Sequence, residues 1–488
     1  MPSSSSQPTV AIAGGGLAGL AAACALSDAG FRVTLFEKRP FLGGRASSWE
    51  HPGTGEVVDN CQHVLFRLCT NLMEFYDRIG VADQIRWYDQ MNFIEPGGRI
   101  STMTSSFLPA PLHTAPSFWK FSFLSTADKR SISRALIPLT LSVQRDTGKS
   151  FQQWLDQHGQ TKNAVERFWK PILISALSEE LDLISISAAA QVIRESMKSP
   201  GARQMGVPTV PLTELYNKAG DYVRARSGVL NFRQPIEGFS ANASQVRLNL
   251  RENQTRENQL TEGAPSFSRS LREDGGFDFL IIALPFDALS RVLPDSAEST
   301  PLREQITHFE NSPITGIHLW FDRQISDLDH AVLLDRTIQW MFHKSRLQPK
   351  RAQEASGETG SYIELVVSSS KTLIDKSRAE IVDMAVAEVR EFFPAAREAT
   401  LVKSTVIKEV NATYSPRPGI DTHRPVAATA WPRVFLAGDW TATGWPATME
   451  GAVRSGYMAA EALMHAAGKG RRFLSRDLPA SGFMRLFA

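Results

Sequence analysis

The fold of this chain is decided by Val10-Ala11-Ile12-Ala13-Gly14-Gly15-Gly16-Leu17-Ala18-Gly19. The apolar start predicts a buried parallel strand, and the glycines fit the pattern G-x-G-x-x-G. In that pattern Gly14 permits a tight turn, Gly16 lets the backbone approach a pyrophosphate, and Gly19 lets a helix lie close to the strand. The alanine-rich residues 17–29 predict that helix, and Gly30 is expected to end it.

A second strand is expected over residues 32–36, and it ends at Glu37. The acid stands at the distance from the glycines where a ribose diol is held, and its charge disfavours the 2′-phosphate of NADP. A glycine-rich turn alone is weak evidence, because alanine- and glycine-rich helices produce the pattern by chance. Strand, turn, helix, strand and acid together favour a dinucleotide site.

Two further stretches carry related signals. Leu42-Gly43-Gly44-Arg45 follows the acid closely. Near the other end of the chain, Val434-Phe435-Leu436-Ala437-Gly438-Asp439 predicts a strand that delivers an aspartate, and a helix start is expected near Thr448-Met449-Glu450-Gly451. Free N–H groups at a helix start attract negative charge, so this end is expected to face the same cofactor. The alternative is a strand and helix that merely complete the sheet.

Together these stretches resemble the superfamily of flavin-dependent amine oxidases and phytoene desaturases. The resemblance implies an α/β fold, in which a Rossmann-type, glutathione-reductase-like FAD/NAD(P)-binding domain is intertwined with an α+β substrate domain. It also implies that FAD is the cofactor. The implied FAD-binding residues are Gly14, Gly16, Leu17, Ala18, Gly19, Glu37, Lys38, Gly43, Gly44, Arg45, Gln62, His63, Ile236, Gly438, Asp439, Thr448 and Met449.

We assign the FAD-binding domain to residues 8–90, 226–300 and 410–468, and the substrate domain to residues 91–225 and 301–409. Residues 1–7 and 469–488 are expected to be flexible tails. In the substrate domain, strands are expected over residues 312–321, 331–342 and 362–368, and a helix over residues 374–393. The polar residues 252–276 predict a mobile hairpin tip, and residues 347–360 predict a charged loop.

Composition limits the kinds of partner. The 488 residues carry 53 basic and 51 acidic side chains, a net charge of +2, which argues against nucleic-acid binding. The three cysteines have no metal or disulfide spacing, so we expect no metal and a reducing, cytoplasmic setting. No run reaches the roughly 18–20 apolar residues of a membrane span.

A narrower resemblance concerns residues 59–64, 312–322 and 339–342, together with 438–441 and 446–451. These blocks look like those of the hydroxysqualene dehydroxylases, squalene-associated flavoenzymes of hopanoid pathways. The resemblance implies a C30 isoprenoid substrate and conversion of hydroxysqualene and reduced FAD to squalene, FAD and water. One departure is Cys61, where many relatives have glycine. Because a single nucleotide fingerprint is present, the electron donor is expected to be a separate molecule.

Dehydroxylation needs a proton donor and a dry, apolar channel. His63 is the leading candidate for the acid, since histidine titrates near neutral pH, and Asp59 is expected to orient it or to serve the cofactor. A histidine that only hydrogen-bonds backbone or FAD is the alternative. Trp320, Trp340 and Phe342 are channel candidates, although aromatic residues on strands usually belong to the core. His318 is expected to be structural.

Membrane contact is suggested by the aromatic residues 118–124, which precede the cations Lys129, Arg130 and Arg134. They predict a helix at the bilayer interface, on the inner face of the cytoplasmic membrane, and the alternative is a helical cap over its own core. The basic, partly aromatic C-terminal tail is a second possible surface anchor.

Three other functions remain open. A carotenoid or phytoene-type desaturase is the first alternative and an amine oxidase the second. A flavin-binding chaperone that retains the fold without turnover is the alternative outside enzymes.

Overall fold

A five-stranded parallel sheet is the framework of one half of the molecule, and its strands come from both ends of the chain. We describe a computed structural model that covers residues 7–251, 271–349 and 360–487. The strands lie side by side in the order Val229–Phe232, Arg32–Glu37, Thr9–Ala13, Phe279–Ile282 and Val434–Leu436. Every neighbouring pair is parallel, which confirms the predicted Rossmann-type fold.

Helix Leu17–Asp28 covers one face of this sheet and is buried along almost its whole length. Helix Met449–Ala466 crosses it so closely that a Cβ on Gly456 would lie 2.2 Å from the carbonyl oxygen of Ala18. Helices Thr70–Ile79 and Leu212–Arg224 complete the same apolar core. Our assignment of residues 212–224 to the substrate domain was therefore wrong, because their apolar face packs on the dinucleotide fold.

A seven-stranded sheet forms the second half. Its strands lie in the order Leu401–Tyr414, Asn311–Phe321, Ser361–Ser368, Trp340–His343, His330–Leu333, Gln90–Ile94 and Ile100–Thr104. The stretch 331–342, expected as one strand, forms a hairpin of two antiparallel strands. Helix Arg378–Phe392 packs its apolar side against one face of the sheet. The expected helix over residues 374–393 thus begins later than predicted, at the Ser377 cap.

Helices between residues 112 and 203 stand beside this sheet and share a core with it. They are Leu112–Thr114, Ala115–Trp119, Thr126–Leu141, Phe151–Gln157, Lys162–Ala164, Val165–Trp169, Lys170–Leu177, Ile186–Met197 and Pro200–Arg203. In the run 118–124, Phe118, Phe121, Phe123 and Leu124 are buried in that core. Phe118, Phe121 and Phe123 pack on one another and cannot face a bilayer, so the prediction that the whole run forms an interfacial helix was wrong for these three side chains. Trp119 is exposed, and membrane contact stays a prediction.

Shorter elements complete the fold. The remaining strands are Ser48–Glu50, Val57–Asp59, Leu65–Phe66, Ile85–Tyr88, Met205–Pro208, Ile236–Ala241, Val246–Arg251 and Leu271–Phe277. The remaining helices are Ala82–Gln84, Phe286–Val292, Ala297–Ser299, Thr300–Ile306, Lys344–Leu347, Lys371–Leu373, Pro394–Arg397, Ile420–His423 and Gly482–Leu486. Most of the predicted hairpin tip and charged loop lies outside the described residues.

The C-terminal residues lie on the body of the protein and do not form the expected flexible tail. Phe473 and Met484 are buried. The backbone N–H of Phe473 donates to Glu461, and that of Phe483 donates to the carbonyl oxygen of Ala110. In the described part of the chain, no helix combines the length and the apolar character needed to cross a bilayer.

Candidate functional site

A cavity of about 1000 Å³ runs from the glycine turn of the parallel sheet into the helical part of the second half. Sixteen of the seventeen residues implied to bind FAD line it, and Gly19 lies just beneath its wall. Gly16 and Asp439, from opposite ends of the chain, face this same space. Two distant segments therefore build one site.

The first glycine turn is shaped by close packing. A Cβ on Gly19 would lie 2.0 Å from the carbonyl oxygen of Gly14, so the helix can approach the strand only because residue 19 lacks a side chain. Gly14 has φ +107°, which favours glycine. A Cβ on Gly16 would meet no protein atom closer than 3.9 Å, and Gly16 lines the cavity. The protein thus leaves an open approach at Gly16, as a phosphate group requires.

The second glycine turn lies against the first. The N–H of Gly43 donates to the carbonyl oxygen of Gly15 over 2.9 Å. The Arg45 guanidinium then spans the cavity wall, donating to the Ala412 carbonyl oxygen at 2.8 Å and pairing with the Asp439 carboxylate at 2.7 Å. Such a charge-assisted contact fixes the two ends of the chain relative to each other, and both groups remain able to bind a cofactor.

The acid after the second strand is buried at the cavity. The Glu37 carboxylate accepts from the N–H of Gly15 at 2.7 Å and from the N–H of Arg39 at 2.8 Å. Since a carboxylate offers about four acceptor positions, it can also accept from a ribose hydroxyl. Lys38 and Ile236 line the same end of the cavity.

Helix Met449–Ala466 begins at the cavity wall. Thr448 caps it by accepting from the N–H of Gly451 at 3.1 Å, which leaves the N-terminal end of the helix directed at the site. Glu450, in the first turn of this helix, also borders the cavity. Its carboxylate accepts from the N–H of Leu72 and the side chain of Asn71, so it ties two helices together.

These features fit a dinucleotide with a flavin. The open approach at Gly16 suits a pyrophosphate, and Glu37 suits a ribose. Arg45, Asp439 and the helix start at Thr448 suit the flavin side of the cofactor. When bound, FAD supplies the capacity to accept or donate a hydride. Among the described residues, no group of three or more His, Cys, Asp or Glu side chains is placed to hold a metal ion.

The segment Cys61-Gln62-His63 forms one wall of the cavity. Nδ1 of His63 lies 2.7 Å from the carbonyl oxygen of Cys61, so we assign the ring proton to Nδ1. Burial lowers the pKa of His63, which favours the neutral ring. Nε2 is then an acceptor. The general-acid role of His63 stays a prediction, and the local electrostatics oppose it.

Asp59 lies behind this wall, outside the cavity. Its carboxylate accepts from Ser48 at 2.6 Å and from the ammonium of Lys344 at 2.5 Å. The expectation that Asp59 orients His63 was wrong, because the His63 ring is held by the Cys61 carbonyl. Lys344 and its neighbour Glu364 were missed from the sequence, although a glutamate inside the apolar run Tyr-Ile-Glu-Leu-Val-Val was a detectable signal.

Beyond the wall the cavity is lined mainly by apolar side chains. Trp340 and Phe342 line it, stacked on each other with ring centroids 5.5 Å apart. Trp320 lies elsewhere, buried against Tyr362 with ring centroids 4.3 Å apart, so its predicted place in the channel was wrong. Other apolar lining residues are Met91, Phe93, Phe118, Leu136, Phe168, Ile172, Val332 and Val366.

The cavity reaches the surface beside the first helices of the helical part. Leu112, Trp119 and Ile137 line it and are 47%, 46% and 59% exposed. A ring of exposed apolar side chains at the opening of an apolar channel is unusual for a surface in contact only with water.

Comparisons with known proteins agree with this geometry. The family described as flavin containing amine oxidoreductase matches residues 17–464. A 15-cis-phytoene desaturase from Synechococcus elongatus is 28% identical over 97% of this chain and 99% of its own. A probable zeta-carotene desaturase from the same organism is 27% identical over 94% of this chain and 98% of its own.

Two solved structures share the fold. An oxidoreductase from Methanosarcina mazei has a TM-score of 0.68 at 16% identity, covering 92% of this chain and 99% of its own. A putrescine oxidase has a TM-score of 0.66 at 16% identity, covering 95% and 98%.

Proposed function

The chain belongs to the family of flavin containing amine oxidoreductases, and we propose that within this family it reduces hydroxysqualene to squalene with loss of water. FAD is its cofactor, and it is a flavin-dependent oxidoreductase. The dehydroxylase assignment rests on the blocks at residues 59–64, 312–322 and 339–342, with 438–441 and 446–451, which together resemble those enzymes.

The observation that carries the proposal is the continuity of the cavity. Its polar end carries the FAD fingerprint, and its other end is an apolar channel with Trp340 and Phe342 in its wall. A channel of this kind suits a long hydrocarbon chain, since apolar surface is driven from water into it.

The reaction breaks a C–O bond and forms a C–H bond at the same carbon. Reduced FAD, when bound, would supply the hydride, and one proton is needed to convert the departing hydroxyl to water. The chain must hold the carbon against the wall at residues 61–63, keep bulk water out and admit that proton. The two electrons come from an external donor.

A second candidate is desaturation of a carotenoid precursor. It is favoured by the relatives, which are named phytoene and zeta-carotene desaturases and align over nearly the whole chain. The same channel would hold a polyene, and the hydride would move in the opposite direction, from lipid to oxidised FAD. Oxidation of an amine is the third candidate.

An anaerobic conversion assay separates these candidates. We expect protein with chemically reduced FAD to form squalene from hydroxysqualene, detected by mass spectrometry of the extracted lipid. Protein with oxidised FAD and a quinone acceptor is the parallel arm, with phytoene as substrate. Desaturated product in that arm, without squalene in the first, would assign the protein to the desaturases. Hydrogen peroxide formed from an amine would assign it to the amine oxidases.

The substrate of this proposal is insoluble, so we also propose that the channel opening lies on the inner face of the cytoplasmic membrane. Leu112, Trp119 and Ile137 supply the apolar contact. Arg130 and Arg134 precede Ile137 on helix Thr126–Leu141 at intervals that place them on one side of it, where they would meet anionic headgroups.

The double variant Trp119→Ser and Ile137→Ser tests this surface. We expect its partition onto vesicles containing anionic lipid to fall by about tenfold or more, because two apolar side chains no longer enter the interface. The matched control is Val402→Ser with Val426→Ser, which removes side chains that are 59% and 62% exposed away from the opening. Equal binding of both double variants and the parent protein would contradict the proposed contact.

A further inference from the structure

Behind the wall of the cavity lies a buried cluster of two carboxylates and one ammonium group. Lys344 is 2% exposed, Asp59 3% and Glu364 0%. Lys344 follows strand Trp340–His343, Asp59 ends strand Val57–Asp59, and Glu364 lies on strand Ser361–Ser368. One positive charge therefore faces two carboxylates in a water-poor environment, where only paired charges are tolerated.

The two carboxylates are held differently. Asp59 accepts from Lys344, from Ser48 and from the N–H of Leu212, and these partners hold its pKa below the usual value although burial opposes this. Glu364 has the Lys344 ammonium at 3.4 Å, and neither of its oxygens has a well-oriented hydrogen-bond partner among the described residues. Asp59 is thus the stable anion, and Glu364 is the group ready to hold a proton.

Among the titratable groups that face one another in this cluster, Glu364 is the one whose charge changes near neutral pH. Burial, with the Asp59 charge, raises the pKa of Glu364 to about 7, and Lys344 only partly offsets this. Across the neighbouring strand, burial lowers the pKa of His318 to about 3, so that ring is neutral. Burial raises the pKa values of the Cys61 thiol and the Tyr362 hydroxyl, and both keep their protons.

The cluster is connected directly to the cavity wall. The Lys344 ammonium donates to the side-chain oxygen of Gln62 at 2.8 Å, and Gln62 lines the cavity between Cys61 and His63. A Cβ on Gly316 would lie 3.2 Å from the carbonyl oxygen of Asn60, the residue before Cys61. The strand that carries His318 therefore packs directly against the segment that forms this wall. Any change in the charge of Glu364 therefore acts one residue behind the surface that faces the cofactor.

We infer that Glu364 is a protonation site coupled to the oxidation state of the cofactor, taking up one proton when FAD is reduced and releasing it on reoxidation. A bound flavin gains negative charge on reduction, and a nearby negative charge favours the protonated form of a carboxyl group. The proton comes from solvent and the two electrons from an external donor, which is dithionite in the experiment below. Glu364 and Lys344 act on the cofactor indirectly, as positioning residues. Their effect passes through the hydrogen bond from Lys344 to the side chain of Gln62, which lines the cavity. The inference requires bound FAD and no particular lipid substrate.

The sign of the effect follows from the ionisation of Glu364. Below about pH 6 the group is protonated with either form of the cofactor, so reduction adds no proton there. At pH 7 it is about half ionised beside oxidised FAD and by about pH 8 largely ionised, while beside reduced FAD it stays protonated through this window. By linkage, each further pH unit in that window then disfavours reduction by up to an extra tenfold, equivalent to about 30 mV for a two-electron couple.

The test compares FAD-loaded parent protein, Glu364→Gln and Glu388→Gln. Glu388 is a buried carboxylate that accepts from the N–H groups of Thr337 and Ile338, and it serves as the matched control. The midpoint potential of bound FAD is measured from pH 5.5 to 8.5, without lipid. We expect the parent and Glu388→Gln to share a steeper slope near pH 7 that Glu364→Gln lacks. Subtracting the potential curve of Glu364→Gln from that of the parent removes the pH dependence of the flavin itself, which both proteins share.

A second measurement decides the matter if Glu364→Gln does not fold or load FAD. The infrared difference spectrum of the parent protein, reduced against oxidised at pH 7.5, is expected to gain one protonated carboxyl band, and Glu364→Asp is expected to shift it. Parallel potential curves in all three proteins, or no carboxyl band on reduction, would overturn the inference. Because no lipid is present, failure of the hydroxysqualene assay leaves this result unaffected.

Discussion

Replacing Gly16 by valine is expected to abolish FAD binding in a protein that still folds. The backbone at residue 16 has φ −77° and ψ 177°, a conformation open to any residue. A Cβ there would meet no protein atom closer than 3.9 Å, so the larger side chain costs the fold little. It would project into the cavity where the pyrophosphate must approach. Because the two valine methyl groups would fill the space of the pyrophosphate, we expect the FAD affinity to fall by at least about a hundredfold.

Two other glycines make this result specific. Gly470→Val introduces the same side chain where no atom lies within 4 Å, and it should bind FAD normally. Gly19→Val should fail earlier, as misfolded protein, since its Cβ would lie 2.0 Å from a carbonyl oxygen. The measurements are flavin absorbance after gel filtration, a titration with FAD and the circular dichroism spectrum. Unchanged FAD affinity in Gly16→Val would place the cofactor elsewhere and contradict the site.

The dinucleotide half was predictable because its signals are local in sequence. Gly14 needs a positive φ and Gly19 needs a close helix, and both demands fall on glycine whatever the rest of the chain does. Convergence of Arg45 on Asp439 was predictable only through the resemblance, because nothing in either segment specifies the other. The partner of helix Leu212–Arg224 was not predictable, because its amphipathic pattern indicates that one face is buried but not which element it packs against.

The channel was only partly predictable. Trp340 and Phe342 alternate on one strand and therefore share a face, which the pattern gives correctly. Which face of a strand borders the cavity depends on how the sheet packs against the other layers, and the strand's own sequence does not specify that. On strand Asn311–Phe321, for example, the Trp320 side chain lies in a separate cluster with Val58 and Tyr362. Composition likewise could not distinguish buried Phe121 from exposed Trp119 two residues earlier.

The second large effect is expected from filling the channel. Ala176 lies on helix Lys170–Leu177, is half-buried and lines the cavity near Ser175, which accepts a hydrogen bond from the indole of Trp340. An indole ring at residue 176 would occupy space that a long lipid must cross. We expect Ala176→Trp to lose at least about a hundredfold in lipid turnover while its FAD content stays equal to that of the parent, because the change lies in the apolar wall.

A graded series makes this loss interpretable as a steric block. Ala176→Val and Ala176→Leu should reduce turnover in order of side-chain volume, since each step removes more of the channel. Ala379→Trp, an exposed position near the start of helix Arg378–Phe392 and away from the cavity, is the matched control and should keep full activity. Turnover is measured in the anaerobic assay with whichever lipid the parent protein converts. If Ala176→Trp converts that lipid at the parental rate, the substrate does not pass residue 176, and the apolar cavity is not the reaction channel.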